Sequence, residues 1–226
     1  MRDAYRQQLQ DLRDKLLIMG SMASRALGDA IEALKTQDLD EARRIIAEDK
    51  RINGLKFQIE DEVLALIAMQ QPMAGDMRLL AAMLEISGEL ERIGDYAKGI
   101  GRIVVYMDGH APIKPLIDIP RMYEIVVDML QRALDAFVNH DVEAARAIPN
   151  EDDVVDALYN QVNSELITLI MANPSQIEQA NYLTWAAHNL ERAADRVTNI
   201  CERIIYTETG VFRELDATEF GVSGVN

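Results

Sequence analysis

Apolar residues recur at three- and four-residue spacing along almost the whole chain, and no stretch alternates in the two-residue rhythm of a half-buried strand. Leu9, Leu12, Leu16, Met19, Ala23, Ala26, Ala30 and Leu34 form one such stripe. Leu79, Met83, Ile86, Leu90, Ile93, Ala97, Ile100 and Val104 form another. Each stripe suits a helix that turns one face toward a bundle core. Breaks fall at Gln71-Pro72, at the segment from Gly109 to Pro120, and at Asn173-Pro174. Proline ends helices there because it lacks a backbone donor and biases the preceding residue away from helical angles. The pattern predicts six long helices near 3–36, 38–69, 75–107, 118–139, 141–172 and 176–207, an all-α fold. Pro149 lies inside the fifth and is expected to bend or restart it.

A search for self-similarity shows how these helices are organised. Shifted by 103 positions, DLDEARRIIAEDKRINGL (38–55) lies on DVEAARAIPNEDDVVDAL (141–158), and residues 30–34 lie on 133–137. Shifted by 100, LERIGDYAKGIGRIVVY (90–106) lies on LERAADRVTNICERIIY (190–206). The three-residue slip is assigned to the turn around Pro72. The expected architecture is therefore two tandem three-helix bundles, residues 1–108 and 118–208, joined by a Pro-rich linker at 109–117. Residues 209–226, without helical periodicity, are read as a mobile tail.

Charge narrows the function classes. The 226 residues carry 38 acidic and 23 basic side chains, a formal charge of −15, so a nucleic-acid partner would be repelled unless the basic residues were gathered on one face, and no such cluster is visible. The longest apolar run, Val63 to Met69, is far short of the ~20 residues that span a bilayer, and the first residues have no signal-peptide core. No membrane insertion is expected. The lone Cys201 excludes an internal disulfide, suits a reducing compartment, and is read as a packed helix residue.

The acidic residues are not scattered. Each repeat carries Glu-Arg-x-x-Asp in its third helix, Glu91/Asp95 and Glu191/Asp195, which puts two carboxylates one turn apart on one face. The second helices carry Asp49/Asn53 and Asp152/Asp156 at the same spacing. Helices joined by a short turn run antiparallel, so residues equidistant from the turn lie side by side. Counting outward from Pro72 sets Glu91 beside Asn53 and Asp95 beside Asp49; counting from Asn173-Pro174 sets Glu191 beside Asp156 and Asp195 beside Asp152. Two carboxylates about 5 Å apart repel by roughly 3 kcal/mol at an effective dielectric of ~20, so each cluster needs a counter-charge. In the first repeat Lys50, Arg51, Lys56, Arg92, Lys98 and Arg102 are near enough for ordinary ion pairs. In the second, no Lys or Arg occurs from Ala147 to Glu191, and Arg192 and Arg196, each one position past an acid, are expected to point away from it. A metal ion held by these oxygens is the remaining counter-charge, with the second repeat the better candidate. His188, three residues before Glu191, is a possible extra ligand, and Arg92 and Arg192 are possible supporting donors behind the acids. His110 and His140 fall in or beside turns without an assigned role, and Trp185, Tyr106 and Tyr206 are read as core. No phosphate loop, nucleophile elbow, HExxH or CxxC motif occurs.

Taken together, the two tandem repeats, QPMAGDMRLL entering the third helix, LERIGDYA answered a hundred residues later by LERAADRV, and the Tyr-Thr-Glu-Thr-Gly segment resemble the PhoU family of phosphate-uptake regulators, over roughly residues 5–212. The resemblance implies iron or zinc clusters on the acidic motifs, with Asn53 departing from a strictly acidic pattern. It also implies a non-enzymatic, cytoplasmic, dimeric regulator that contacts a phosphate ABC-transporter ATPase and a sensor histidine kinase. A ferritin-like bundle metalloenzyme is the alternative from a different class, but its Glu-x-x-His ligand pairs on two helices are missing.

Overall fold

The computed structural model describes residues 2–211. Seven α-helices are present among them: α1 (Arg2–Thr36), α2 (Leu39–Gln70), α3 (Ala74–Met107), α4 (Asp118–Asn139), α5 (Val142–Ala147), α6 (Asp152–Ala172) and α7 (Ile177–Thr209). α5 and α6 belong to one rod. Pro149 interrupts it in a single 3₁₀ turn, Ile148–Glu151, and the α-helix restarts at Asp152. No helix is long and apolar enough to cross a membrane.

The same turn starts the second rod of both repeats. Gln37 and His140 take up left-handed backbone angles, φ 58° and 56°, and let the next residue donate back into the preceding helix. Asp38 N–H reaches Ala33 O at 3.1 Å and Asp141 N–H reaches Ala136 O at 3.0 Å. The two aspartates then cap the next helix of their repeat, Asp38 accepting from the backbone N–H groups of Asp40 and Glu41, Asp141 from that of Ala144. Repetition of a turn at a 103-residue interval is the structural form of the internal sequence match.

The core stripe of α1 is Leu12, Leu16, Met19, Ala23, Leu27, Ala30 and Leu34, all with no exposed surface. Leu9 and Ala26 are only half-buried, because Leu27 takes the inward position. All eight residues of the α3 stripe are buried. Helices α1, α2 and α3 pack on one another, as do α4, α5/α6 and α7, and the two bundles join along α3 with α7 and α1 with α4. Contacts along α3 and α7 step in opposite directions: Arg78 with Thr207, Glu85 with Arg203, Glu89 with Arg196, Tyr106 with Tyr182. The third helices therefore lie antiparallel along their whole length. Cys201 sits wholly inside, and burial pushes its thiol up to about 12, leaving it unreactive at neutral pH. Most of the expected C-terminal tail lies outside the described residues; before it, α7 ends at Thr209 and Gly210 caps it.

At Gly101 α3 meets the backbone of α2, and a Cβ would stand 3.3 Å from the backbone oxygen of Ala42. Backbone cannot rotate aside as a side-chain end can. Gly101→Leu is expected to force α2 from α3 and cost about 1–3 kcal/mol in urea unfolding.

Candidate acidic sites of the two bundles

In the first bundle Asp49 of α2 and Asp95 of α3 come together as the count from Pro72 expects, and an ammonium group stands between them. Lys98 Nζ donates to Asp49 Oδ2 at 2.7 Å and to Asp95 Oδ1 at 3.3 Å. Its pKa is raised above the usual lysine range, chiefly by the hydrogen bond to Asp49. Asn53 donates its side-chain N–H to the same Asp49 oxygen at 3.4 Å. Lys56 lies 3.9 Å from Glu91, and the largely exposed Arg92 lies 3.9 Å from both Glu91 and Asp95. Asp49 is buried, with 6% of its surface exposed, so the Lys98 bridge is not a rim contact. This donor set does not fit a metal ion, since a cation would have to displace the ammonium.

The second bundle is built differently at the matching positions. Lys98 is replaced by Thr198, fully buried and with its hydroxyl oxygen unbonded, and Lys56 by Tyr159, whose ring lies 5.9 Å from that of His188. Glu191 therefore lacks an ammonium beside it. Its pKa is raised, first by burial and next by the Asp195 carboxylate, with His188 opposing, Asp156 adding a smaller upward effect and Arg192 a smaller opposing one. His188 Nδ1 stands 3.3 Å from Glu191 Oε2, but that buried oxygen makes no hydrogen bond. Asp156, Glu191, Asp195 and His188 thus share one electrostatic neighbourhood. Asp152 opens α6 one turn before Asp156.

Three expectations need correction. Arg192 and Arg196 do not turn away from the acids: Arg192 Nη1 lies 2.8 Å from Asp195 Oδ2, and Arg196 lies 3.9 Å from it while reaching Glu89 of the first bundle at 3.4 Å. Residues three apart on a helix are neighbours, so Arg192 turns from Glu191 but toward Asp195. The lysine- and arginine-free stretch likewise receives its positive charge from elsewhere, Glu165 from Lys114 in the linker and Glu151 from Arg132 in α4. Trp185 and Tyr106, in turn, are not core: they are 52% and 59% exposed. Tyr106, Tyr182 and Trp185 line the outer rim of the α3–α7 seam at ring separations of 6.3 Å.

The Lys98-to-Thr198 exchange decides the chemistry of the two sites, and sequence reasoning passed over it. Its signal was available in the 100-residue shift, where the LERIGDYAK of one copy faces the LERAADRVT of the other. Among the described residues no three His, Cys, Asp or Glu side chains are gathered as a ready-made metal site. The oxygens around Glu191 do fit a hard or borderline cation by type, and closing on one would require side-chain rotation.

Comparison with known proteins places this architecture. The PhoU domain model matches the chain twice, over residues 16–104 and 119–204, once on each bundle. The chain belongs to the PhoU family. A phosphate-specific transport system accessory protein PhoU homolog from Clostridium acetobutylicum is 36% identical over 210 residues, 92% of this chain and 96% of the relative. The Escherichia coli accessory protein PhoU is 34% identical over 218 residues, 95% of this chain and 90% of its own. The crystal structure of PhoU from Pseudomonas aeruginosa superimposes with a TM-score of 0.87 at 31% identity, covering 92% of this chain and all of that one. That of the PhoU phosphate transport system regulatory protein from Streptococcus pneumoniae gives 0.87 at 28% identity, covering 93% and 100%.

The two PhoU bundles should respond oppositely to removal of charge. Lys98→Met leaves the Asp49 carboxylate buried without its cation and is expected to cost about 2–4 kcal/mol in chemical unfolding, most of it recovered in Lys98→Met with Asp49→Leu. Glu191→Gln is expected to stabilise the chelator-treated protein at neutral pH, raising Tm by about 1–3 °C. The sign follows from a raised carboxyl pKa: the ionised form is disfavoured in the folded state, so stability is lost as pH rises through that pKa. The difference between variant and wild type should vanish below about pH 4, where the carboxyl is protonated in both states.

Proposed function

We propose that this chain is a PhoU-type accessory protein of phosphate-specific transport. It acts in the cytoplasm, as a homodimer and without turnover, and restrains phosphate uptake and phosphate-starvation signalling by binding the transporter ATPase or a sensor histidine kinase. The observation that carries this reading is the repeated PhoU domain on both bundles, joined to likeness over nine-tenths of the chain with named transport accessory proteins. Rods of 32 to 35 residues support it physically, because they offer long faces for a protein partner.

A metal ion, iron or zinc by family likeness, is proposed at the second bundle. Asp152, Asp156, Glu191 and Asp195 would hold it, with His188 as a further ligand. The buried, unbonded oxygen of Glu191 supports this placement. A metal there would supply the positive charge that Lys98 supplies in the first bundle.

Affinity chromatography with the immobilised chain, run on extracts of phosphate-replete and phosphate-starved cells, tests the partner. Retention of the transporter ATPase or the sensor kinase is expected in at least one condition, and retention of neither overturns the proposal. Elemental mass spectrometry of protein purified without chelator tests the metal. At least about one iron or zinc per chain is expected, falling severalfold in Asp152→Asn with Glu191→Gln; an equal content in wild type and variant overturns the assignment.

A further inference from the structure

An apolar hollow opens between α1 and α2 of the first bundle, with Asp49 of the first acidic site among its lining residues. It has a volume of about 400 Å³, within the range of small-ligand pockets. Leu17, Met22, Ala26, Ile45 and Ile52 supply its apolar lining, and three arginines, Arg25, Arg44 and Arg51, stand around it in a chain of net charge −15.

Partners of the charges at this hollow are unequally distributed. Arg44 is committed to Asp29 at 2.8 Å and Glu48 at 2.9 Å, and also to Glu41. Asp49 is held by Lys98. Every acid at the hollow is therefore answered. Arg25 and Arg51, by contrast, make no hydrogen bond or ion pair with any described residue.

The duplicated bundle serves as an internal control. At the positions matching Arg25 and Arg51 it has Asp128 and Val154, and at that of Asp29 it has Arg132. Arg132 bonds Asp128 Oδ2 at 2.8 Å and Glu151 Oε1 at 2.6 Å and so ties the helices together across the same gap. Among the described residues the Arg25 and Arg51 pair has no arginine counterpart in the second copy, where Asp128 and Val154 stand.

We propose that this hollow is a binding site for a small amphipathic carboxylate. The apolar body lies along Leu17, Met22, Ile45 and Ile52, and the carboxylate is paired by Arg25 and Arg51. A guanidinium forks onto a carboxylate with good geometry, and a saturated chain of about ten carbons fits the volume. The site borders the first acidic cluster at Asp49 and does not rest on the accessory role proposed above.

Titration calorimetry with decanoate as the probe tests it. Saturable binding of one decanoate per chain is expected, together with an upward shift of Tm at saturation. Arg25→Gln with Arg51→Gln, at exposed positions whose replacement leaves the core intact, should weaken binding about tenfold or more, and decanol should bind at least about tenfold more weakly than decanoate. Ser21→Trp, on the exposed rim, should block the hollow and abolish binding, with the helical circular dichroism unchanged. The proposal is overturned if decanoate fails to saturate, if the arginine variant or the Trp variant binds it as tightly as wild type, or if an acidic amphipathic peptide binds at the hollow while decanoate does not.

Discussion

A carboxylate drawn partly out of water between two packed helices loses hydration that only positive charge or well-placed donors can replace. In this protein carboxylates of neighbouring rods come near one another, Asp49 and Asp95 in the first bundle and Asp156, Glu191 and Asp195 in the second, because the second and third rods run antiparallel from a short turn. Around that constraint the two copies diverge. The first places the Lys98 ammonium between Asp49 and Asp95, although Asp49 Oδ1 and Asn53 Oδ1 make no hydrogen bond. The second has Thr198 at that place, and Glu191 is left under the combined effect of burial and two like charges.

Duplication makes these differences interpretable, since each position has a counterpart in the same molecule. The turns at Gln37–Asp38 and His140–Asp141 are nearly superimposable in hydrogen bonding, which indicates a scaffold under common constraint. Side chains facing the gaps between rods are free of that constraint. Asp29 and Arg44 in one copy become Arg132 and Ala147 in the other, and the cross-helix ion pair survives with its polarity reversed through Glu151. Along the α3–α7 seam the bundles are tied by charged and aromatic contacts, Arg203 to Glu85, Arg196 to Glu89 and Tyr106 to Tyr182, so each bundle supplies part of the other's surface.

Much of the fold was legible because its determinants are local. A three- and four-residue apolar rhythm, prolines at the breaks and Asp38 and Asp141 at helix starts act within one or two turns of where they stand. The register of Asp49 against Asp95 could be counted from Pro72 for the same reason. What escaped was set by neighbours distant in sequence. Arg192 answers Asp195 while Lys114 answers Glu165 from the linker, and Trp185 lies on a rim because α3 covers only one side of its helix. A helical stripe specifies which face is apolar, not how much of that face a partner covers.

From the chain alone came the all-helical class, the two copies, the breaks between rods and the pairing of Asp49 with Asp95 across the first hairpin, since each depends on spacing along the backbone. The tertiary structure decided which carboxylates are neutralised and by which cation, that a hollow opens beside Arg25 and Arg51 in the first copy, and that the aromatic rings of the seam face outward. Those outcomes depend on long, flexible side chains and on the distances between rods. Coulomb interaction and desolvation act through space, whereas helical periodicity is written one residue after another.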